Sequence, residues 1–175
     1  PTRPSLGSWL TYGLGSENEN LPGFIALCPG KPVVGPKLWG SAFLPGQHQA
    51  THINHSDLTP AKMIPHLKNE YLQRDEQRSQ LDLIQRINRQ HQKQRPGDDA
   101  LETRIRAMEL AYRMQFEALD TFDISQETQA TQDAYGSSQF SKACLLARRL
   151  SEKGTRFVQV FYGDRQPWDT HSKHN

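Results

Sequence analysis

The first apolar run of the chain has the period of a helix. Residues 4–13, PSLGSWLTYG, place Leu6, Trp9 and Leu10 at positions i, i+3 and i+4, between an early proline and a late glycine. Side chains at this spacing share one face of an α-helix, proline fits the first turn, and glycine often ends a helix. The pattern therefore predicts a short amphipathic helix at 4–13.

Two further runs have the length and composition of strands. GFIALC at 23–28 is continuously apolar, and TRFVQVFY at 155–162 is rich in β-branched and aromatic residues. A predicted helix leads directly into the second strand, with Gly154 as its stop. The predicted apolar face of this helix consists of Phe140, Ala143, Cys144, Ala147 and Leu150. A helix, a glycine stop and a buried strand form an α/β unit, so the sequence predicts the α/β class.

A long charged region between these strands predicts a helical hairpin at 68–119. Leucines and isoleucines recur through 68–92, Pro96-Gly97 interrupts the run, and a second apolar stripe follows from Asp98. The stripe consists of Leu101, Ile105, Met108, Tyr112, Phe116 and Leu119. The charge around it is typical of a solvated outer face. We interpret the hairpin as an insertion into a compact α/β core.

The segment before the hairpin is rich in proline and histidine. Four prolines in 29–47 predict a loop. The next residues, GQHQATHINHSDLTP at 46–60, space His48, His52 and His55 at i, i+4 and i+7. On a helix these imidazoles would share a face and could bind a metal ion. The segment is polar, bounded by proline and without an apolar face, so the pattern favours a surface loop.

Charge and composition narrow the classes of partner. The 175 residues include 21 basic and 19 acidic side chains, and a net charge of +2 argues against a nucleic-acid-binding protein. No run approaches the roughly 18 apolar residues that a membrane span needs. Hydrophobic residues make up 35% of the chain, which is low for a self-contained domain. This composition predicts either an unusually loop-rich protein or apolar surfaces that are completed by further sequence. Cys28 and Cys144 lack metal-ligand spacing and are predicted to be free, buried thiols.

The C-terminal residues carry the candidate chemistry. In PWDTHSKHN, at 167–175, Asp169 and His171 follow a few residues after the predicted strand at 155–162. In open α/β sheets, functional groups gather beyond the carboxyl ends of strands. Carboxylate and imidazole are common ligands of divalent ions. The same short motif also fits a solvated tail, and the residues alone leave both interpretations open.

Six stretches together carry a family resemblance. They are RPSLGSWLTYGLGSENENLPGFIAL (3–27), GSAFLP (40–45), LETRIRAMELAYRMQ (101–115), YG (135–136), CLLARRLSEKGTRFVQV (144–160) and WDTH (168–171). On these stretches the chain resembles a large bacterial family of sulfatase-like proteins, formally of unknown function, within the alkaline phosphatase/sulfatase superfamily. The similarity covers nearly the whole chain in order, and the succession from LLARRL to WDTH is its most specific part.

The resemblance implies a partial alkaline-phosphatase-like fold with a mainly parallel sheet flanked by helices. It also implies that residues 1–175 are the middle of a protein more than twice as long, whose remaining segments are the expected partners of this one. The family carries a Gly-rich, Ser-containing motif and an Asp-rich stretch upstream. Downstream it carries a Glu-Phe-Gly-Arg motif and an Asp-His pair. Family members often begin with an export signal, which leaves export from a bacterial cell as one expectation.

By the same analogy, Asp169 and His171 are expected to bind a divalent metal ion such as zinc or calcium. The parent protein is then expected to hydrolyse phosphate or sulfate esters of small molecules or glycans. Residues 1–175 alone are expected to be inactive, because the family's nucleophile is not among them. Two alternatives belong to other classes: a catalytically silent binding protein for sulfated or phosphorylated glycans, and a helical interaction module centred on 68–119.

Overall fold

A computed structural model describes residues 2–65, 69–94 and 98–163, and shows a mixed α/β arrangement built on a small parallel sheet. The helices of these residues are α1 (Leu6–Leu14), α2 (Pro60–Met63), α3 (Arg74–Gln94), α4 (Asp99–Phe122), α5 (Gln129–Tyr135) and α6 (Gln139–Glu152). The strands are β1 (Phe24–Cys28), β2 (Thr51–Asn54) and β3 (Phe157–Val160). The predicted α/β class and parallel sheet are confirmed.

The sheet places β1 in the middle, in the order β2-β1-β3, and both pairings are parallel. Leu27 is in register with Ile53 on one side and with Val160 on the other. All five residues of β1 are buried, because helices and loops cover both faces of the strand. A continuously apolar run is the usual sequence of such a strand.

The prediction that 46–60 forms a surface loop is wrong. Residues Thr51–Asn54 form β2, which pairs with β1 along its whole length. Ile53 is its one buried residue, so backbone pairing with β1 stabilises the strand more than the burial of apolar side chains does. A four-residue edge strand with one buried side chain carries little hydrophobic signal.

One face of the sheet packs against the helices. Ile25, Leu27 and Ile53 contribute to a buried cluster there. The helical residues of this cluster are Met63, Met114, Ala118, Phe122, Leu146 and Leu150. The C-terminal half of α4 is therefore part of the main core.

The opposite face of the sheet packs against α1, and the contact uses small residues. Gly7, Ser8 and Thr11 are the buried residues of this helix. A Cβ atom on Gly7 would lie 2.6 Å from ring atoms of both Phe24 and Phe157, so only glycine lets the helix approach this closely. The predicted helix is confirmed, but its apolar stripe faces away from the sheet.

The predicted hairpin is present as α3 and α4, and polar side chains join the two helices. Arg78 donates two hydrogen bonds to Glu109, at 3.1 and 3.0 Å, and Gln92 donates to Glu102 at 2.6 Å. No residue of α3 is buried, and Leu83 is 58% exposed. The hairpin is thus a solvated arm at α3 that merges into the core through α4.

The last helix and strand follow the sequence prediction closely. The N-cap Ser138 accepts a hydrogen bond from the backbone of Ser141 at 3.0 Å, and Gly154 ends α6 with φ +92°. The predicted apolar face is wrong at Phe140, which is 37% exposed, because the helix turns its leucines toward the core instead. The buried residues of α6 are Ala143, Leu145, Leu146 and Leu150.

Neither cysteine forms a disulfide bond, as the spacing predicts. Cys28 is buried in β1, whereas Cys144 is only partly buried, which corrects the prediction of two buried thiols. Among the described residues, we find no helix that combines the length and the apolar character needed to cross a bilayer.

Candidate functional site

The three strands end at one edge of the sheet, which we call the C-terminal edge. Because the strands are parallel, Cys28, Asn54 and Val160 all lie there. Helix α6 returns to the sheet before β3, so its N-terminus also lies at this edge. The ring of Phe140 contacts that of Tyr162, with centroids 5.2 Å apart. The C-terminal edge is where open α/β sheets hold their ligands.

His55 is the buried polar residue of the C-terminal edge. It follows β2 directly and its side chain is 1% exposed. Its backbone N–H donates to the carbonyl of Cys28 at 3.4 Å, and its own carbonyl accepts from Nε2 of Gln139 at 2.7 Å. The backbone of His55 is thus held by β1 on one side and by α6 on the other.

The imidazole of His55 has unsatisfied hydrogen-bonding groups. Neither Nδ1 nor Nε2 has a hydrogen-bond partner among the described residues. A buried polar group without a partner costs about 1–3 kcal/mol. Burial lowers the pKa of His55, and nearby His52 lowers it further. The backbone carbonyls of His55 and Phe161 oppose this lowering of the pKa.

His52 has a different environment, although it lies only three positions earlier. Its ring stacks on that of Trp39, with centroids 5.0 Å apart and planes 7° from parallel. Partial desolvation lowers the pKa of His52, and Lys31 lowers it further, whereas the carbonyl of Gly30 raises it. His52 is in register with Ala26, in the middle of β1, on the face that Trp39 covers.

His48 lies in a short 3₁₀ turn, Gly46–His48, and its ring contacts that of Tyr12, with centroids 5.3 Å apart. The three histidines of 46–60 thus occupy a turn, a strand and the residue after a strand. They do not share a helix face. Burial of His55 is the feature that the sequence analysis missed, since it depends on contacts with Cys28 and Gln139, which are distant in sequence.

Asp169 and His171 lie outside the described residues. Within residues 2–65, 69–94 and 98–163, no group of three or more His, Cys, Asp or Glu side chains is arranged to hold a metal ion. The described residues therefore do not test the predicted metal site at Asp169 and His171, which stays a prediction.

A second surface feature lies on α1 and on the loop before β2, and we call it the aromatic patch: Trp9, Tyr12, Phe43 and His48. Trp9 contacts Phe43 and Tyr12 edge to face, at centroid distances of 5.8 and 6.1 Å. Phe43 is 70% exposed and Trp9 is 46% exposed. Exposed apolar patches of this kind often mark interaction surfaces.

The two serines of α1 have structural roles. Ser5 is the N-cap, and its Oγ lies 2.8 Å from Oγ of Ser8. Ser8 is buried and donates to the carbonyl of Gly40 at 3.1 Å. The Ser5 hydroxyl caps the helix and the Ser8 hydroxyl holds it to the following loop, and no general base contacts either one among the described residues.

Comparison with known proteins gives one family assignment. No curated protein matches the chain. No solved structure matches it either. A family model described as "Protein of unknown function (DUF1501)" matches residues 1–175, and the chain therefore belongs to this family.

Proposed function

We propose that this chain contributes a divalent-metal site to a hydrolase of phosphate or sulfate esters, with Asp169 and His171 as metal ligands. The observation that supports the proposal is the direction of β3. This strand is parallel to β1 and ends at Val160, so the chain leaves it at the C-terminal edge. Asp169 follows Val160 by nine residues, a stretch that spans at most about 30 Å when extended. Both side chains are therefore within reach of the edge where sites form.

The donor chemistry of the pair fits a divalent ion. A carboxylate oxygen and an imidazole nitrogen are accepted by zinc, and the carboxylate also suits calcium. When bound, such an ion polarises the ester oxygens and offsets the charge that develops on them. Asp169 and His171 would hold the ion and fix its position. The resemblance to the alkaline phosphatase/sulfatase superfamily supports this class of reaction.

The nucleophile of the reaction is not assigned to this chain. The hydroxyl of Ser5 caps α1, and the hydroxyl of Ser8 donates to the carbonyl of Gly40. The resemblance places a Ser-containing motif before the stretch that matches residues 1–175. We therefore expect metal binding by the chain without turnover of nitrophenyl phosphate or nitrophenyl sulfate. Measurable hydrolysis by the pure chain would contradict this part of the proposal.

Metal binding by substituted chains tests the proposed ligands. Zinc affinity is measured by competition with a chromophoric chelator for the unsubstituted chain, Asp169→Asn, His171→Gln and the control His91→Gln. We expect at least about a tenfold loss of affinity for the two ligand variants. His91 lies on the solvated helix α3, so its replacement should leave the affinity unchanged. Equal affinity in all four proteins would overturn the assignment.

A second candidate is a catalytically silent protein that binds sulfated or phosphorylated glycans. The aromatic patch favours it, because its exposed rings offer a surface on which a glycan could bind. In that case Trp9→Ala should abolish retention on a sulfated glycan resin, and Asp169→Asn should not. Retention that depends on Asp169 and is unaffected by Trp9 would exclude this candidate.

The third interpretation, an interaction module at 68–119, has one supporting observation. Leu83 and Ile87 lie one helical turn apart on α3 and are 58% and 59% exposed.

A further inference from the structure

We propose that β3 of one chain pairs with β3 of a second copy of the chain, antiparallel and about a two-fold axis at Gln159. The two three-stranded sheets would then join into one continuous sheet. The inference goes beyond the proposed function and is independent of Asp169 and His171, because it depends only on the strand and its immediate neighbours.

The first argument is that β3 has a neighbour on one side alone. In the part of the chain that the structure describes, β3 pairs with β1 and with no other strand. The N–H groups of Phe157 and Phe161 donate to carbonyls in and just before β1, at 3.0 and 2.8 Å. Successive residues of a strand present their backbone groups to opposite edges, so those of Val158 and Val160 point to the outer edge.

The second argument is that β3 has the composition of a strand from the interior of a sheet. Edge strands usually carry a charge or a proline that discourages further pairing, and Phe157–Val160 contains neither. Val158 and Val160 pack against the main core cluster on one face, and Phe157 and Phe161 pack against the second cluster on the other. Apolar side chains on both faces are typical of a strand with two neighbours.

The other edge of the sheet shows the contrast. Strand β2 has the sequence Thr-His-Ile-Asn, and only its isoleucine is buried. The central strand β1 is at most 2% exposed at every residue, whereas every residue of β3 is only partly buried. Strand β3 thus resembles β1 in composition but lacks the second neighbour that completes the burial of β1. Its outer edge is the incomplete one.

The third argument identifies the second neighbour as another copy of the same strand. Residues 157–161 read Phe-Val-Gln-Val-Phe, which is the same sequence in both directions. In an antiparallel pair centred on Gln159, Phe157 lies opposite Phe161 of the second copy, and Val158 lies opposite Val160 of the second copy. Opposite residues share a face of the sheet, so each apolar face meets its equivalent. A two-fold interface requires such self-complementarity.

The backbone groups fit the same register. Val158 and Val160 of the second copy would exchange N–H to carbonyl hydrogen bonds in both directions, and the two-fold axis repeats this pair. Gln159 then occupies the non-hydrogen-bonded position, where opposite Cα atoms are about 4.5 Å apart. The two amide side chains can bond to each other there. The next pair sets Arg156 opposite Tyr162 of the second copy, so no like charges oppose each other.

The first experiment measures the association of the full 175-residue chain by sedimentation velocity over a wide range of concentrations. We expect a dimer of the unsubstituted chain. Gln159→Lys and Gln159→Glu should each shift the chain to the monomer, because like charges then lie opposite each other at the two-fold axis. An equimolar mixture of the two variants should restore the dimer, because lysine then faces glutamate. Gln80→Lys, on the exposed surface of α3, is the matched control and should leave the dimer unchanged.

The outcomes decide the proposal in each case. A monomeric unsubstituted chain at every concentration overturns it and leaves a strand from another protein segment as the occupant of this edge. A dimer that persists in both Gln159 variants would place the contact elsewhere on the molecule. A mixture that stays monomeric, with both variants folded by far-UV circular dichroism, would exclude the two-fold axis at Gln159.

A second experiment introduces no charge into the strand. Disulfide bonds join residues with Cα atoms about 4.4–6.8 Å apart, a range that includes the expected separation at the two-fold axis. We therefore expect Gln159→Cys to form a covalent dimer under mild oxidation. Gln80→Cys and the unsubstituted chain, which also contain Cys28 and Cys144, should remain mostly uncrosslinked. Equal cross-linking of the three proteins would contradict the proposed pairing.

Hydrogen exchange on the unsubstituted chain keeps the inference testable if the Gln159 variants do not fold. The amides of Val158 and Val160 point to the outer edge of β3, so their exchange should slow as the protein concentration rises. The amide of Phe157, which already donates toward β1, should show a smaller change. Exchange at Val158 and Val160 that is fast and independent of concentration would overturn the inference.

Discussion

The contact between α1 and the sheet leads to a prediction about Gly7. Replacing a helical glycine with alanine normally stabilises a protein by up to about 1 kcal/mol, since alanine has the higher helix propensity. At Gly7 the added methyl would lie 2.6 Å from ring atoms of Phe24 and Phe157. Ordinary contacts between carbon atoms are about 3.5–4.0 Å. We therefore expect Gly7→Ala to destabilise the protein.

The magnitude follows from the surroundings of the two rings. Phe24 is 2% exposed and its ring contacts that of Phe157 at a centroid distance of 5.3 Å. The rings would have to move by about 1 Å to reach normal contact, and overpacking of this kind costs about 1–3 kcal/mol. Subtracting the propensity gain leaves a net loss on the order of 1 kcal/mol.

Gly13 is a matched control on the same helix. A Cβ atom at Gly13 would have nothing within 4 Å, so Gly13→Ala keeps the propensity gain and has no clash. Its position near the helix end makes the gain smaller than in a helix centre, a few tenths of a kcal/mol to about 1 kcal/mol. The difference between the two variants therefore isolates the packing cost of about 1–3 kcal/mol.

Urea denaturation, followed by circular dichroism, measures both free energies of unfolding. We expect the midpoint to fall for Gly7→Ala and to stay or rise for Gly13→Ala, with unchanged slopes. If Gly7→Ala were as stable as Gly13→Ala, the claim that α1 contacts the sheet too closely for an added methyl group would be refuted. A larger loss at Gly13 would also refute the reasoning.

Two further predictions concern the core and the response to acid. Leu27 lies in the buried part of β1, so Leu27→Ala should lower the free energy of unfolding by about 2–5 kcal/mol. The control Leu14→Ala, at a position that is 63% exposed, should change it by less than about 0.5 kcal/mol. Equal urea midpoints for the two variants would contradict the burial of β1 in the core. Hydrogen bonds from Arg148 and Arg149 lower the pKa of Glu127 below its usual 4.5, so the stability that this carboxylate contributes is present above about pH 4.5 and is lost as the pH falls through its lowered folded pKa. Glu127→Gln should therefore be less stable at pH 7 and lose less stability between pH 5 and pH 3, and an acid response identical to that of the unsubstituted chain would refute the ion pair.

The elements with strong periodicity were predictable from sequence. The helix predicted at 4–13 is Leu6–Leu14, and the strand predicted at 23–28 is Phe24–Cys28. Glycine also marked the end of α6 correctly at Gly154, because a positive φ has little cost only without a Cβ atom. In these segments the local pattern and the tertiary contacts favour the same structure.

The orientation of α1 was not predictable from its pattern. Leu6 and Trp9 are 66% and 46% exposed, although their spacing suggests the buried face. The helix instead turns Gly7 and Thr11 toward the sheet, because the rings of β1 and β3 fill the space that larger side chains would need. Shape complementarity with strands distant in sequence decides this orientation. The local pattern of apolar residues carries no information about that fit.

The candidate site also contains residues that the sequence identifies and residues that only the folded structure identifies. Asp169 and His171 are recognisable from their sequence and from the family resemblance, and their role stays a prediction. His55 was assigned to a surface loop, and its burial follows from contacts with Cys28 and Gln139 that only the folded chain creates. Thr51–Asn54 was missed for the same reason, since an edge strand with one buried side chain depends on its neighbour for stability.

The strand order has a consequence for how the protein folds during synthesis. β1 is complete at residue 28, but its second neighbour, β3, begins only at residue 157. At about 5–20 residues per second, the ribosome needs on the order of ten seconds to make the intervening chain. During that time the apolar segment Phe24–Cys28 can pair with β2 but keeps its other edge open, and such an edge is prone to aggregation. Nascent chains of this protein should therefore depend on chaperones until β3 has left the ribosome.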